Sequence, residues 1–143
     1  MRYKNILISG GAGFIGSNLA DRLLAANKKV IVVDNFDDYY SPEIKRKNVR
    51  HNLDNLNYKL ITADIEDGET IEKILADNKV DCVVHLAAKA GVRPSIKTPI
   101  SYAKTNIIGT LNVLNAMCKA NVHKIVFASS SSVYGNCECD FFT

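Results

Sequence analysis

The sequence predicts an α/β fold in which a parallel sheet of strand order 3-2-1-4-5 is doubly wound from its centre. Three observations predict it. A short apolar run, Ile6-Leu7-Ile8, breaks into Gly10-Gly11-Ala12-Gly13-Phe14-Ile15-Gly16, and an amphipathic helix pattern starts at once. A second apolar run, Val30-Ile31-Val32-Val33, ends in Asp34, 18 residues past Gly16. Strand-length and helix-length patterns then alternate as far as Ala128, which gives a parallel sheet with right-handed crossovers.

Each element has its own reason. From Phe14 to Ala26, Ile15, Leu19, Leu23 and Leu24 recur at helical spacing, with Asp21, Arg22 and Asn27 on other faces. Val30–Val33 is apolar and β-branched throughout, as suits a parallel strand buried on both sides. Ser41-Pro42 reads as an N-cap and first helical position, opening a charged helix to about Leu53. Asn57–Thr62 is the third strand, Gly68–Asn78 a short helix with Ile71, Ile74 and Leu75 on one face, and Val80–Leu86 the fourth strand. Ala87–Pro99 reads as a long loop holding Pro94 and Pro99. Ile100–Ala120 reads as one long helix carrying Ile107, Ile108, Leu111, Val113, Leu114 and Met117. His123–Ala128 is the fifth strand and runs into four serines.

Composition narrows the function. At 143 residues, 47% apolar and 23% charged, the chain is an ordinary globular domain, read as one unit over residues 1–143. A formal charge of +3, with no basic block interleaved with aromatics, gives no case for a nucleic-acid partner. Lys45-Arg46-Lys47 is a short run in a polar segment, expected to face solvent. No secretory signal or membrane-length apolar stretch is visible, so no membrane association is expected and the protein is read as cytoplasmic. Cys82 and Cys118 fall in a strand and a helix, where cysteine behaves as a small hydrophobe. Cys137 and Cys139 have C-x-C spacing but no second pair at a zinc-like interval, so no metal is expected.

The glycine junction carries the chemistry. Bare backbone N–H groups at the positive end of a helix are suited to a phosphate, and a Rossmann-type fold uses them for the pyrophosphate of a dinucleotide. Asp34 stands where a carboxylate can accept both ribose hydroxyls and would repel a 2′-phosphate. With Asn35 next and no arginine adjacent, NAD is favoured over NADP; the other reading of Asp34 is a strand-end aspartate closing a turn. Asp64 and Ile65 have the position for an adenine, a carboxylate for the amine and an aliphatic surface for the ring, or else Asp64 opens an Asx turn. Asp34, Asp64, the Ala87 loop and the Ser129 loop all lie at carboxyl ends of strands and would converge on one rim, with the crevice between strands one and four. His85, inside a strand, reads as a satisfied core histidine rather than a catalytic one.

Six motifs occur in order: Gly10–Gly16, Val33-Asp34-Asn35, Asp64-Ile65, His85-Leu86-Ala87-Ala88, Thr105-Asn106-Ile107-Ile108-Gly109-Thr110 and Ser129-Ser130-Ser131-Ser132-Val133-Tyr134-Gly135. Together they resemble the extended short-chain dehydrogenase/reductases, the NAD-dependent epimerase/dehydratase family that acts on nucleotide sugars. Within it, Asn35–Tyr40 and Ala90–Ser95 are most similar to UDP-glucuronate 4-epimerases, with UDP-galactose 4-epimerases and dTDP-glucose 4,6-dehydratases close by.

The resemblance implies roles at matching positions. Gly10, Gly13, Phe14, Ile15 and Gly16 would hold the pyrophosphate, Asp34 and Asn35 the ribose, and Asp64 and Ile65 the adenine. Ala87, Ala88, Lys89 and Thr105 would line the cofactor channel, and Asn106 would support that loop. Ser130 would be catalytic, bonding the sugar 4-hydroxyl while NAD takes and returns the C4 hydride.

The sequence departs from the pattern after Gly135. The family's base is the tyrosine of a Tyr-x-x-x-Lys pair, and no tyrosine of this chain has a lysine four residues on. The Pro-Phe segment, the last two parallel strands and the sugar-binding domain have no counterpart either. The reading is about half an enzyme: the NAD-binding portion of a nucleotide-sugar 4-epimerase or 4,6-dehydratase, inactive alone. A stand-alone dinucleotide-binding or sensing module, or a structural subunit, are the alternatives. A homo-oligomer is expected through the fifth-strand edge or the long helix.

Overall fold

In a computed structural model of the chain, residues 3–135 are described. The strands are β1 Asn5–Ser9, β2 Lys29–Asp34, β3 Tyr58–Thr62, β4 Cys82–His85 and β5 Ile125–Phe127. All pair in parallel in the order β3-β2-β1-β4-β5, as the alternation of patterns predicts. The sheet reverses its winding between β1 and β4, which opens a crevice at their carboxyl ends.

The two faces of the sheet follow from the period of two along each strand. Val30 and Val32 of β2 join Ile6, Ile8 and Cys82 under α1 Phe14–Ala25 and α2 Pro42–Arg50, which contribute Ala20 and Val49. Ile31 and Val33 turn to the opposite face with Leu7 and Val83, under α3 Gly68–Asp77 and the long helix. Of α3, Ile71, Ile74 and Leu75 are buried, the face that its spacing marks out. Among the described residues no strand pairs with β5 on its outer side, and Val126 and Phe127 are exposed there.

Two segments and one cysteine differ from the sequence reading. The 87–99 loop contains a short helix, α4 Val92–Lys97, because Pro94 is its third residue, where an N–H has no helical partner to lose. The long helix starts on Pro99 and is divided into α5 Pro99–Ala103, a π-helical stretch Lys104–Gly109 and α6 Thr110–Lys119. Val113 and Met117 of α6 face the core, whereas Ile107, Ile108, Leu111 and Leu114 face outward. Cys118 is exposed rather than packed as a small hydrophobe. Among the described residues no helix is long and apolar enough to cross a membrane.

His85 is buried where β4 meets β1, in register with Ser9. The Ser9 hydroxyl oxygen accepts the N–H of Leu86 (3.2 Å) and of Ala87 (3.3 Å), which uses both its lone pairs. Its proton therefore goes to His85 Nδ1, 2.6 Å away. The ring proton then lies on Nε2 and is donated to Thr110 Oγ1 (3.0 Å), whose own hydroxyl donates to the Asn106 carbonyl (2.8 Å). Burial pushes the imidazole pKa down, so the ring is neutral and every polar atom of this relay is matched, as a core histidine requires.

Two tests follow from this packing. Met117→Ala, at 4% exposure, should cost about 2–5 kcal/mol in urea denaturation. Leu111→Ala, at 49% exposure on the same helix, should stay within about 0.5 kcal/mol, and equal losses would contradict the facing of α6. His85 adds a pH dependence. The unfolded chain takes the proton first, so the ring's contribution is complete above the ordinary histidine value of about 6.5 and is lost as pH falls through the depressed folded value. His85→Gln should remove that part of the slope, whatever it does to stability at neutral pH; an unchanged slope would contradict the neutral, buried assignment.

Candidate functional site

The carboxyl ends of the strands carry the site. β1 ends in a turn that only glycine can make: Gly10 has φ +69°, and a Cβ there would lie 2.8 Å from the Ala87 nitrogen. Gly16 lets α1 close onto that turn, since a Cβ would meet the Gly10 carbonyl oxygen at 2.6 Å. Gly13 is the N-cap of α1 and offers no side chain, and the first turn holds no acid. The first-turn amides of Phe14, Ile15 and Gly16 have no carbonyl partner within the helix. They sit at the positive end of α1, and the side chains of Phe14 and Ile15 are 80% and 67% exposed. The Gly13 amide, in contrast, is spent on the Gly10 carbonyl (3.2 Å).

Asp34 closes β2 and is buried, at 6% exposure. Its Oδ2 accepts the Ala12 N–H (3.0 Å), and its Oδ1 accepts the Phe36 N–H (2.9 Å) and Lys45 Nζ (3.3 Å). The turn-closing reading of this aspartate is present, and the same carboxylate borders the glycine loop. A carboxylate has about four in-plane acceptor positions, so one is left, on Oδ2. With Lys45 in place Asp34 can take one further hydroxyl, not two. Within the Lys45–Lys47 run, Arg46 and Lys47 are exposed as expected, and Lys45 departs from the solvent reading. The Lys45 side chain is 12% exposed and ion-paired to Asp34, while Arg46 stacks over the Phe36 ring at 5.5 Å.

Asn35 and Asp64 meet on the same rim, Asn35 Nδ2 donating to Asp64 Oδ2 at 2.8 Å. Asp64 Oδ1 accepts the Glu66 N–H (2.8 Å), the Asx turn allowed by the sequence. The Ile65 side chain, 4% exposed, is turned into the core against Gly109, so close that a Cβ on Gly109 would lie 2.6 Å from Ile65 Cδ1.

Ala87, Ala88 and Lys89 follow β4. Asn106 supports them as the sequence suggests: its Oδ1 accepts the Lys89 N–H (2.8 Å) and its Nδ2 donates to the Lys89 carbonyl (2.9 Å). Lys89 Nζ pairs with Asp37 Oδ2 at 2.8 Å; this bond holds the Asp37 carboxyl below its usual range and the lysine above its own. Thr105 donates to Glu66 Oε1 (2.7 Å) from the π-helical stretch. Ser130 is exposed at the head of a 3₁₀ turn, Ser131–Tyr134, and its hydroxyl accepts the Ser132 N–H (3.2 Å). It is joined to none of the other site residues by these bonds. Cys137 and Cys139 lie outside the described residues, among which no group of three or more His, Cys, Asp or Glu could hold a metal.

Three residues of the site had no motif to mark them. Ser9 orders the Leu86 and Ala87 amides, Lys45 reaches Asp34 from α2, and Asn48 reaches the glycine loop, its Nδ2 donating to the Ala12 carbonyl (3.1 Å). The available signal was spacing: Lys45, Asn48 and Val49 stand at i, i+3 and i+4, one helix face, and Val49 is the buried residue of α2.

A family model described as GDP-mannose 4,6 dehydratase matches residues 7–143. A UDP-glucuronate 4-epimerase from Thermodesulfobacterium geofontis is 39% identical over 128 residues, 90% of this chain and 40% of that protein. The UDP-glucose 4-epimerase of Thermotoga maritima, solved with UDP-glucose, aligns with a TM-score of 0.81 at 40% identity, over 94% of this chain and 41% of its own. That of Thermus thermophilus, solved with NAD, aligns with a TM-score of 0.83 at 33% identity, over 97% of this chain and 42% of its own. The chain spans about two fifths of the length of the curated relatives it matches. It belongs to the family that this model describes, the epimerase/dehydratase branch of the extended short-chain dehydrogenase/reductases that its six ordered motifs resemble.

Proposed function

We propose that this chain is the NAD-binding portion of a nucleotide-sugar 4-epimerase. One observation carries the reading: the unpaired first-turn amides of α1 and the buried Asp34 carboxylate stand on one rim, tied through Ala12. Phosphate suits those amides, since dipole and donors point the same way and no acidic side chain in the first turn competes. Gly10, Gly13, Phe14, Ile15 and Gly16 form the pyrophosphate cradle, and a side chain on Gly16 would push α1 off the glycine turn. Asp34 accepts a ribose hydroxyl on its remaining Oδ2 position, beside Asn35. Asp64 and the backbone of Ile65 border the adenine, and Ala87, Ala88, Lys89 and Thr105 wall the path toward the reacting end.

When bound, NAD supplies a hydride acceptor and donor. The protein's own part is to orient. Asn106 fixes the Lys89 backbone from both sides, so the channel wall does not depend on loop entropy. Ser130 offers an exposed hydroxyl for the sugar 4-hydroxyl. The 143 residues contain no Tyr-x-x-x-Lys pair, so within them no lysine-assisted tyrosine can take the sugar proton. A second reading, a 4,6-dehydratase portion, is favoured by the description of the family model that matches.

Calorimetry tests the cofactor reading. NAD should bind more tightly than NADP, and Asp34→Ala should weaken NAD by about 1–3 kcal/mol, the scale of a lost charged hydrogen bond. Equal affinity for both cofactors in the unmodified chain would contradict it. Incubating residues 1–143 with NAD and UDP-glucuronate, UDP-glucose or dTDP-glucose should yield neither C4 epimer nor 4-keto product, because a general base worth about 10²–10⁴ in rate is absent. Turnover that disappears in Ser130→Ala would overturn the expectation that these residues are inactive alone.

A further inference from the structure

We propose that Lys45 sets the discrimination between NAD and NADP, acting as a cationic edge of the ribose subsite that tempers the exclusion of a 2′-phosphate by Asp34. The inference rests on the cofactor reading above. Its starting point is the saturation of Asp34: three of its four acceptor positions are filled, and the longest of the three bonds is the one from Lys45 Nζ, 3.3 Å against 2.9 and 3.0 Å. The two backbone donors belong to the loops that Asp34 holds in place. Lys45 is the one side-chain donor of the three, and its ammonium can be shared with an anionic oxygen brought up beside Asp34.

Lys45 is not a wandering surface lysine. Its side chain is 12% exposed, and α2 is anchored on the same face by buried Val49 and by the bond from Asn48 to the Ala12 carbonyl. An ammonium carries three protons, and the Asp34 bond uses one of them. The remaining donors are held at the buried end of β2, on the oxygen that faces away from Ala12. Two further cations of this rim are already engaged, Lys89 Nζ with Asp37 at 2.8 Å and Arg46 over the Phe36 ring at 5.5 Å. Asp34 alone would meet a 2′-phosphate as an unscreened like charge; with Lys45 beside it the local charge is balanced before the ligand arrives. A ribose hydroxyl needs only the free Oδ2 position and gains little from the lysine. A 2′-phosphate needs the lysine.

The experiment measures dissociation constants for NAD and NADP on the unmodified chain and on Lys45→Met, with Lys47→Met as a control for bulk charge. Lys47 is exposed and two residues along, on the far side of α2. Lys45→Met should widen the NAD preference by about tenfold, mainly through weaker NADP, the effect of one charge-assisted hydrogen bond. Lys47→Met should leave the ratio within about twofold, and 0.5 M salt should shrink the Lys45 effect. Lys45→Arg should keep the original ratio. Should Lys45→Met fail to give a native circular-dichroism spectrum, Lys45→Gln replaces it in the same comparison. An unchanged ratio in the Lys45 variant, or an equal shift in Lys47→Met, overturns the inference and leaves the cofactor reading standing. No NAD binding by the unmodified chain overturns the cofactor reading and the inference together.

Discussion

The bond between the Ala12 amide and the Asp34 carboxylate is the contact on which the rim of this sheet depends. A carboxylate at 6% exposure has given up water, a loss worth several kcal/mol if nothing replaces it. Three donors do, and each comes from a different segment: the glycine loop, the turn after β2, and α2. A single buried charge therefore ties together three chain segments, beside the apolar contacts of Ala12, Phe36 and Val49 in one cluster. Ala12 is held from its other side by Asn48, so the apex of the glycine loop has both backbone groups matched inside the protein. The amides left over are those of the next turn, Phe14 to Gly16, where a phosphate is accommodated best.

A second network does the same for the opposite wall of the crevice. Ser9 at the end of β1 orders the amides after β4, His85 passes the bond on to Thr110, and Thr110 holds the Asn106 carbonyl. Asn106 then grips Lys89. The relay crosses the sheet through a neutral histidine, which burial favours over a charged one. It ends in the π-helical stretch, where Thr105 and Asn106 are turned to the rim while Gly109 packs against Ile65. Widened helical turns of this kind recur at functional sites because they re-aim side chains without breaking the helix.

The sheet order and the rim were legible because they rest on residue types with one dominant role each. Val30–Val33 can only be a doubly buried strand, and glycine is required at Gly10 and Gly16 by φ and by contact. His85 was legible for a similar reason, since an imidazole inside a strand needs partners from neighbouring strands. The sequence was silent where the deciding fact is a hydrogen-bond register or a fold-back. Ile107, Ile108, Leu111 and Leu114 look like core at helical spacing, yet they face outward, because Val113, Ala116 and Met117 hold the side of α6 that meets the sheet. Pro94 reads as a loop residue but occupies the third position of a helix, where its missing N–H costs nothing. Lys45 reads as part of a solvated basic run, because composition says nothing of the carboxylate waiting eleven residues back.

The most direct measurement is an amide NMR titration of the chain with NAD. The shifts predicted to be largest are those of Phe14, Ile15 and Gly16, whose N–H groups would receive the pyrophosphate, followed by Asn35 and Asp64 on the ribose and adenine side. The Ala12 amide, already spent on Asp34, should move less than its neighbours. Shifts scattered over the outer faces of α3 and α6, or none at Phe14–Gly16 at saturating NAD, would contradict the assignment of this rim as a dinucleotide site.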